Sequence, residues 1–187
     1  MTNKKIVFGL VGDLAAGKST VSKYLREKYN INSYLYSTPL RDILKRIYIE
    51  ESRENLQKLS IWLRENFDQQ ILGKIIARDV ENDGNEMIIA DGIRRPSDIA
   101  QLEQLPGFIL IYITAEPHLR WQRQTNRNQN AGDAQKTFEQ FMRDEESEAE
   151  KPIKELGGRA KFTITNNGTE TELYQQIEDI IKSIKSY

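Results

Sequence analysis

No cysteine occurs among the 187 residues. That removes disulfides, thiolate nucleophiles and cysteine-based zinc sites at once. A single histidine, His118, cannot assemble a histidine-rich metal site, and beside Pro117 it reads as a surface or capping group. No apolar run approaches the ~18 residues of a membrane-spanning helix; the opening run, Ile6 to Val11, is far too short. Met1 to Lys5 leads straight into it without the pattern of a cleaved export signal. Charge of one sign is also missing. With 27 basic and 28 acidic side chains the net charge is -1, which gives no general drive toward nucleic acid or anionic membrane. These absences lead us to expect a soluble, cytoplasmic protein, monomer or homodimer, with a small-molecule partner and neither membrane nor extended nucleic acid.

What is present is an alternation of elements. Apolar runs at Ile6–Val11, Ser33–Ser37, Met87–Ala90, Phe108–Ile113 and Phe162–Thr165 read as strands. Helical periods separate them: Lys18–Tyr29, a segment from Pro39, a long stretch Glu54–Val80 with a break at Gly73, a short start at Pro96, Glu116–Arg127, Phe138–Glu150 and Glu170–Ile184. Strand and helix in turn predict an α/β fold with helices on both faces of a parallel sheet. The length suits one domain spanning 1–187.

Between the first strand and the first helix stands Gly12-Asp-Leu-Ala-Ala-Gly17-Lys18-Ser19. Glycine, four residues, then Gly-Lys-Ser is the phosphate-loop pattern. The glycines let backbone amides of Ala15, Ala16 and their neighbours turn toward phosphate oxygens. The helix start at Lys18–Thr20 adds unpaired donors and the positive end of its dipole. Lys18 suits the β and γ phosphates, and the Ser19 hydroxyl suits magnesium. The cofactor expected is therefore ATP with Mg2+.

Other chemistry-bearing residues fall at strand ends, where open parallel sheets build sites. Asp91 follows the Met87–Ala90 strand and could hold magnesium, orient an acceptor or cap the next helix. Asp13, inside the loop, could lie near an attacking oxygen or hold the loop through local backbone hydrogen bonds. Arg94 and Arg95 follow Asp91, and Arg94 is the better phosphate candidate, since a planar guanidinium gives paired charge-assisted bonds. Arg120, Arg123 and Arg127, spaced three and four apart, share one helix face and call for anions. The polar stretch Asn126–Gly132 reads as a loop able to cover nucleotide, within a lid of about 124–137. Arg143-Asp144-Glu145-Glu146 reads as a solvated acidic face. Arg41 and Arg64, within a helical segment of about 38–80, are candidates for an acceptor phosphate. Trp62 and Phe67 read as core residues, with base stacking the alternative.

Together, Gly12–Thr20, Ser37-Thr-Pro-Leu-Arg41, Asp91-Gly-Ile-Arg94, Arg120-Trp-Gln-Arg123 with Arg127, Phe141-Met-Arg-Asp-Glu145 and Thr165-Asn-Asn-Gly168-Thr169 carry a resemblance. The chain resembles the nucleoside monophosphate kinase group of P-loop kinases, and within it the deoxynucleoside monophosphate kinases and dephospho-coenzyme A kinase-like proteins. The resemblance implies a three-layer fold around a five-stranded parallel sheet, order 2-3-1-4-5, with a short lid. It implies that Arg120, Arg123 and Arg127 are lid arginines and that Arg41, Arg64 and Arg94 face the acceptor. It also implies that the turn holding Asn166 and Gly168 borders the adenine. The histidine and proline of true dephospho-coenzyme A kinases are missing from Leu56–Phe67. The expected reaction is ATP-dependent phosphorylation of a nucleoside or deoxynucleoside monophosphate. Transfer to a hydroxyl, as in dephospho-coenzyme A, is the alternative, and it would need Asp13 or Asp91 beside the attacking oxygen. A nucleotide-dependent switch or ATPase with a protein partner is the reading from another class.

Overall fold

The computed structural model describes residues 5–127, 133–146 and 151–185. The strands are β1 (Ile6–Gly12), β2 (Asn32–Leu35), β3 (Met87–Asp91), β4 (Phe108–Thr114) and β5 (Phe162–Thr165). They form one five-stranded sheet in the order β2-β3-β1-β4-β5. The pairings at both edges are parallel, Asn32 lying opposite Ile88 and Ile111 opposite Phe162. β1, β3 and β4 are near-continuous apolar runs and are buried along most of their length, as strands covered on both faces must be. Helices flank the sheet in a three-layer α/β arrangement: α1 (Lys18–Tyr29), α2 (Thr38–Arg46), α3 (Arg53–Asn66), α4 (Ile71–Asn82), α5 (Pro96–Ile99), α6 (Pro117–Arg127), α7 (Phe138–Glu145), α8 (Lys151–Arg159) and α9 (Glu170–Lys185).

The chain divides into two compact units, one of Met1–Gly9 with Asn30–Ile109 and one of Leu10–Tyr29 with Leu110–Tyr187. In the first, α4 buries Leu72, Ile76, Ala77 and Val80 at helical spacing. The Lys5 ammonium donates to the Val80 carbonyl (2.7 Å) and the Asp83 carbonyl (2.5 Å) at the end of that helix. In the second, α9 buries Leu173, Ile177 and Ile181. Tyr24 of α1 stacks on Tyr174 of α9, ring centroids 4.1 Å apart, and its hydroxyl donates to Glu178.

Several boundaries differ from the sequence reading. β2 ends at Leu35, not Ser37, because the chain must turn before Pro39 enters the first turn of α2. The long helix of Glu54–Val80 is two helices, and the break is not at Gly73. It falls at Phe67–Gln70, where the Asp68 carboxylate accepts from the Gln70 amide (2.8 Å) and Arg64 donates to the Gln69 carbonyl (2.8 Å). Gly73 lies inside α4, where a Cβ would come within 2.6 Å of the Asp98 carbonyl oxygen. The helix expected over Phe138–Glu150 ends at Glu145 among the described residues, and α8 is an element the periodicity did not reveal. Pro152, Gly157 and Gly158 hide its pattern; the Tyr112 ring packs closely on Gly157, 3.1 Å from where a Cβ would stand. Trp62 and Phe67 are exposed, not core, and meet edge to face at 5.6 Å.

Candidate nucleotide site

β1 delivers the chain to Gly12, whose Cβ position is filled by the Ile113 carbonyl oxygen of β4. Only glycine fits there. The loop then turns through two left-handed residues, Ala15 at φ 57° and Gly17 at φ 103°. A non-glycine residue in that region is held against its preference and marks a site worth reading. The Asn166 side chain lies over Gly17 and donates to the Ala16 carbonyl (2.9 Å), while its own amide donates to Thr114 (2.8 Å). The turn after β5 is thereby fastened to the phosphate loop. Lys18 opens α1, and its ammonium rests on the loop's own carbonyls, Gly12 at 2.7 Å and Asp13 at 3.0 Å.

A cavity of about 480 Å³ opens beside the loop. Ala15, Gly17, Ser19 and Thr20 line it from the loop and α1, and Ser19 is exposed. Arg123 and Arg127 line it from α6, and Asn166 and Gly168 from the turn after β5. The structure thus gathers eight of the sequence candidates on one cavity. One Nη of Arg123 is buried with no hydrogen-bond partner among the described residues. Such a donor is costly to leave unmet. Asn126, the first residue of the polar stretch expected to cover nucleotide, also lines the cavity, as do Glu170 and Leu173, which nothing in their spacing singles out. The lid expected over 124–137 includes residues 128–132, which lie outside the described residues.

Asp13 is occupied. Its carboxylate accepts from the Tyr112 hydroxyl and from the Thr114 hydroxyl, both at 2.5 Å. Burial, together with the bond to Asp13, pushes the Tyr112 hydroxyl well above its usual range, so it remains a donor at neutral pH. Tyr112 and Thr114 are two apart on β4 and share a face. No local spacing pairs them with Asp13, which lies 99 and 101 residues away, although two hydroxyls alternating at a strand end are visible in the sequence.

Arg120 does not line the cavity. It is buried, and its guanidinium forks onto the carboxylate of Glu145, with the second bond at 2.9 Å. Its Nε donates to the Ala115 carbonyl at 2.7 Å. Glu145 is buried rather than part of a solvated face, which corrects the reading of that acidic run. The pair closes over a separation of 25 residues, with no local spacing to announce it.

The acceptor-side candidates belong to the other unit. Arg64 is 6% exposed and donates to the Asp98 carboxylate (2.8 Å) as well as to Gln69. The second Asp98 oxygen accepts the amides of Arg94 and Arg95, both at 3.0 Å. Tyr36 donates to the Asp98 carbonyl (2.6 Å). Arg64 is therefore a buried brace under the loop that carries Arg94, and Arg94 itself is exposed. Arg41 is exposed and pairs with Glu51 at 3.1 Å. Asp91 is half-buried at the end of β3, with its carbonyl accepting from the Tyr36 amide (3.1 Å). Among the described residues no three acidic or histidine side chains gather as a metal site. The donors fit a magnesium ion that arrives with nucleotide phosphates, since such ions keep one or two protein ligands and complete their shell with phosphate and water. No described helix is long and apolar enough to cross a membrane.

Sheet order and phosphate loop together define a P-loop kinase-like fold. Comparison with known proteins gives the family: residues 11–142 match the model of the AAA domain, and the chain belongs to that family. A UPF0200 protein of Hyperthermus butylicus is 27% identical over 137 residues, covering 73% of this chain and 72% of the relative. Among solved structures, TT1252 from Thermus thermophilus superposes with a TM-score of 0.64 at 17% identity, covering 96% of this chain and 97% of that one. A shikimate kinase from Bacteroides thetaiotaomicron gives 0.61 at 12% identity, covering 96% and 98%. At such identities the likeness is one of fold.

Proposed function

We propose that the protein transfers the γ-phosphoryl group of ATP to a nucleoside or deoxynucleoside monophosphate. The observation that carries this is the cavity beside Gly12–Thr20, which Ser19 of the phosphate loop's helix shares with Arg123 and Arg127 of α6. In this reading Lys18 leaves the Gly12 and Asp13 carbonyls for the β and γ phosphates. Loop amides and the start of α1 hold the phosphate oxygens, and Ser19 is the protein ligand for magnesium, with Asp91 a further candidate. Bound magnesium would screen the charge of the phosphates. Arg123 and Arg127 steady charge on the transferring group, and Arg94 and Arg41 hold the acceptor phosphate. An acceptor phosphate oxygen attacks the γ phosphorus in line as the bond to the bridging oxygen breaks, releasing ADP. Such an acceptor needs no strong base; positioning and charge neutralisation suffice.

The commitment of Asp13 to Tyr112 and Thr114 favours this acceptor over a hydroxyl, because each of its carboxylate oxygens already accepts from a hydroxyl of β4. A hydroxyl acceptor is the second reading, favoured by Asp91 at the end of β3, where a general base would stand. The test is ADP release from ATP·Mg2+ across ribonucleoside and deoxyribonucleoside monophosphates plus dephospho-coenzyme A. Stimulation by one monophosphate, falling at least ~100-fold in Lys18→Ala, is the expected result. Stimulation by dephospho-coenzyme A alone would move the acceptor to the second reading, and nucleotide binding with no response to any acceptor would overturn both.

A further inference from the structure

Four parts of the second unit meet at one guanidinium. Arg120 belongs to α6, and its Nε donates to the Ala115 carbonyl just past β4. One Nη reaches the Leu14 carbonyl in the phosphate loop at 3.5 Å, and Nε lies 4.0 Å from the Asp13 carboxylate. Both Nη atoms bond Glu145 on α7, and the Phe141 ring of the same helix lies 5.5 Å from the guanidinium carbon. Arg120 is 4% and Glu145 7% exposed.

A buried ion pair is weak grounds for stability, since an apolar pair of equal volume often does as well. What such a pair fixes is geometry. Arg120 stands between two carboxylates, bonded to Glu145 and 4.0 Å from Asp13. While Glu145 holds it, Asp13 is left to Tyr112 and Thr114, and the loop keeps its path. Without the Glu145 charge, the carboxylate left within 4.0 Å of the guanidinium among the described residues is that of Asp13. A guanidinium turning toward it would compete with both hydroxyls and shift the loop backbone from which Lys18 takes its resting position.

We infer that Glu145 is a positioning residue for the phosphate loop, acting through Arg120, and that it couples nucleotide binding to the seating of α7. The inference rests on the nucleotide reading above and deepens it. Coupling of this kind is reciprocal: if α7 sets the loop, an occupied loop must bias α7. Trp121 is placed to report it, because its indole donates to the Lys136 carbonyl (2.7 Å) and its ring lies 5.9 Å from Phe138 at the start of α7.

The test uses the full chain with Trp62→Phe, which leaves Trp121 as the sole tryptophan. Mg·ATP is titrated well below the unfolding temperature, following both binding and Trp121 emission. In the parent, Mg·ATP should bind and shift the emission. In Glu145→Gln the dissociation constant should rise about tenfold and the shift at saturation should be lost. Arg120→Lys, which keeps the charge but not the fork, should behave alike. Glu139→Gln, an exposed acid on the same helix, should match the parent. A purely structural Glu145 would lower the melting temperature and leave the emission shift of the folded protein intact. That result, with affinity within about twofold of the parent, overturns the inference while leaving the nucleotide reading standing. A parent that binds no Mg·ATP overturns both. Should Glu145→Gln fail to fold, Glu145→Asp carries the same expectation, because its carboxylate is one methylene short of both Nη atoms.

Discussion

An arginine's work in this chain is set by the acid beside it. Arg64 and Arg120 have carboxylate partners inside the fold, whereas Arg123 has a buried donor with no partner among the described residues. The two kinds should respond differently to truncation. Arg64→Ala would leave Asp98 buried and unpaired, with only the Arg94 and Arg95 amides to answer its charge. Loss of one partner of such a pair costs about 3–5 kcal/mol, so thermal or urea denaturation should show a large fall in stability without any ligand. An Arg64 that merely clamped an acceptor would leave the apo protein's stability unchanged. Sequence spacing put each arginine on its helix and assembled the phosphate loop, but it could not separate these cases. The deciding acids lie 34 and 25 residues away and are brought close only by tertiary folding. Asp13 was open between catalytic and structural use for the same reason, since its partners come from β4.

At the scale of elements, the legible parts were those whose pattern is local. β1, β3 and β4 are unbroken apolar runs, and the loop between β1 and α1 follows a fixed spacing. The obscured parts are those where one element's backbone presses on another. Gly73 looked like a helix break because glycine usually weakens a helix, yet it is there to admit the Asp98 carbonyl. α8 was hidden likewise, its Gly157 serving the Tyr112 ring. Gly73→Ala gives a clean test. On helix propensity alone alanine should stabilise by about 1 kcal/mol. Against that stands a Cβ 2.6 Å from a backbone oxygen, with the Ser97 carbonyl at 3.1 Å, neither of which can rotate away. Overpacking of this kind costs about 1–3 kcal/mol. The expected net loss of about 1 kcal/mol lowers the melting temperature by about 2–4 °C for a chain of this length. A gain would show that α4 can slide from α5 at little cost.

Across the whole molecule, the candidates sort by unit. Every described residue lining the cavity belongs to Leu10–Tyr29 or Leu110–Tyr187, while Arg41, Arg64, Arg94 and Asp91 belong to Asn30–Ile109. If nucleotide and acceptor are bound as proposed, each substrate alone should mark its own unit in amide hydrogen exchange. Mg·ATP at about 100 times its dissociation constant stabilises whatever it binds by about 2.7 kcal/mol, which slows exchange about 100-fold for amides that open only when that unit unfolds. The slowing should fall on the phosphate loop, α1 and α9, and Lys18→Ala should abolish it. A saturating monophosphate without ATP should instead slow exchange in the Gly92–Arg95 loop and in α2, and Lys18→Ala should leave that pattern intact. Protection by the monophosphate confined to the phosphate loop would mean that it competes for the nucleotide cavity, and the acceptor roles given to Arg41 and Arg94 would fall. Protection of both regions in wild type and of only the acceptor region in Lys18→Ala would mean that the monophosphate binds twice, and the acceptor assignment would stand.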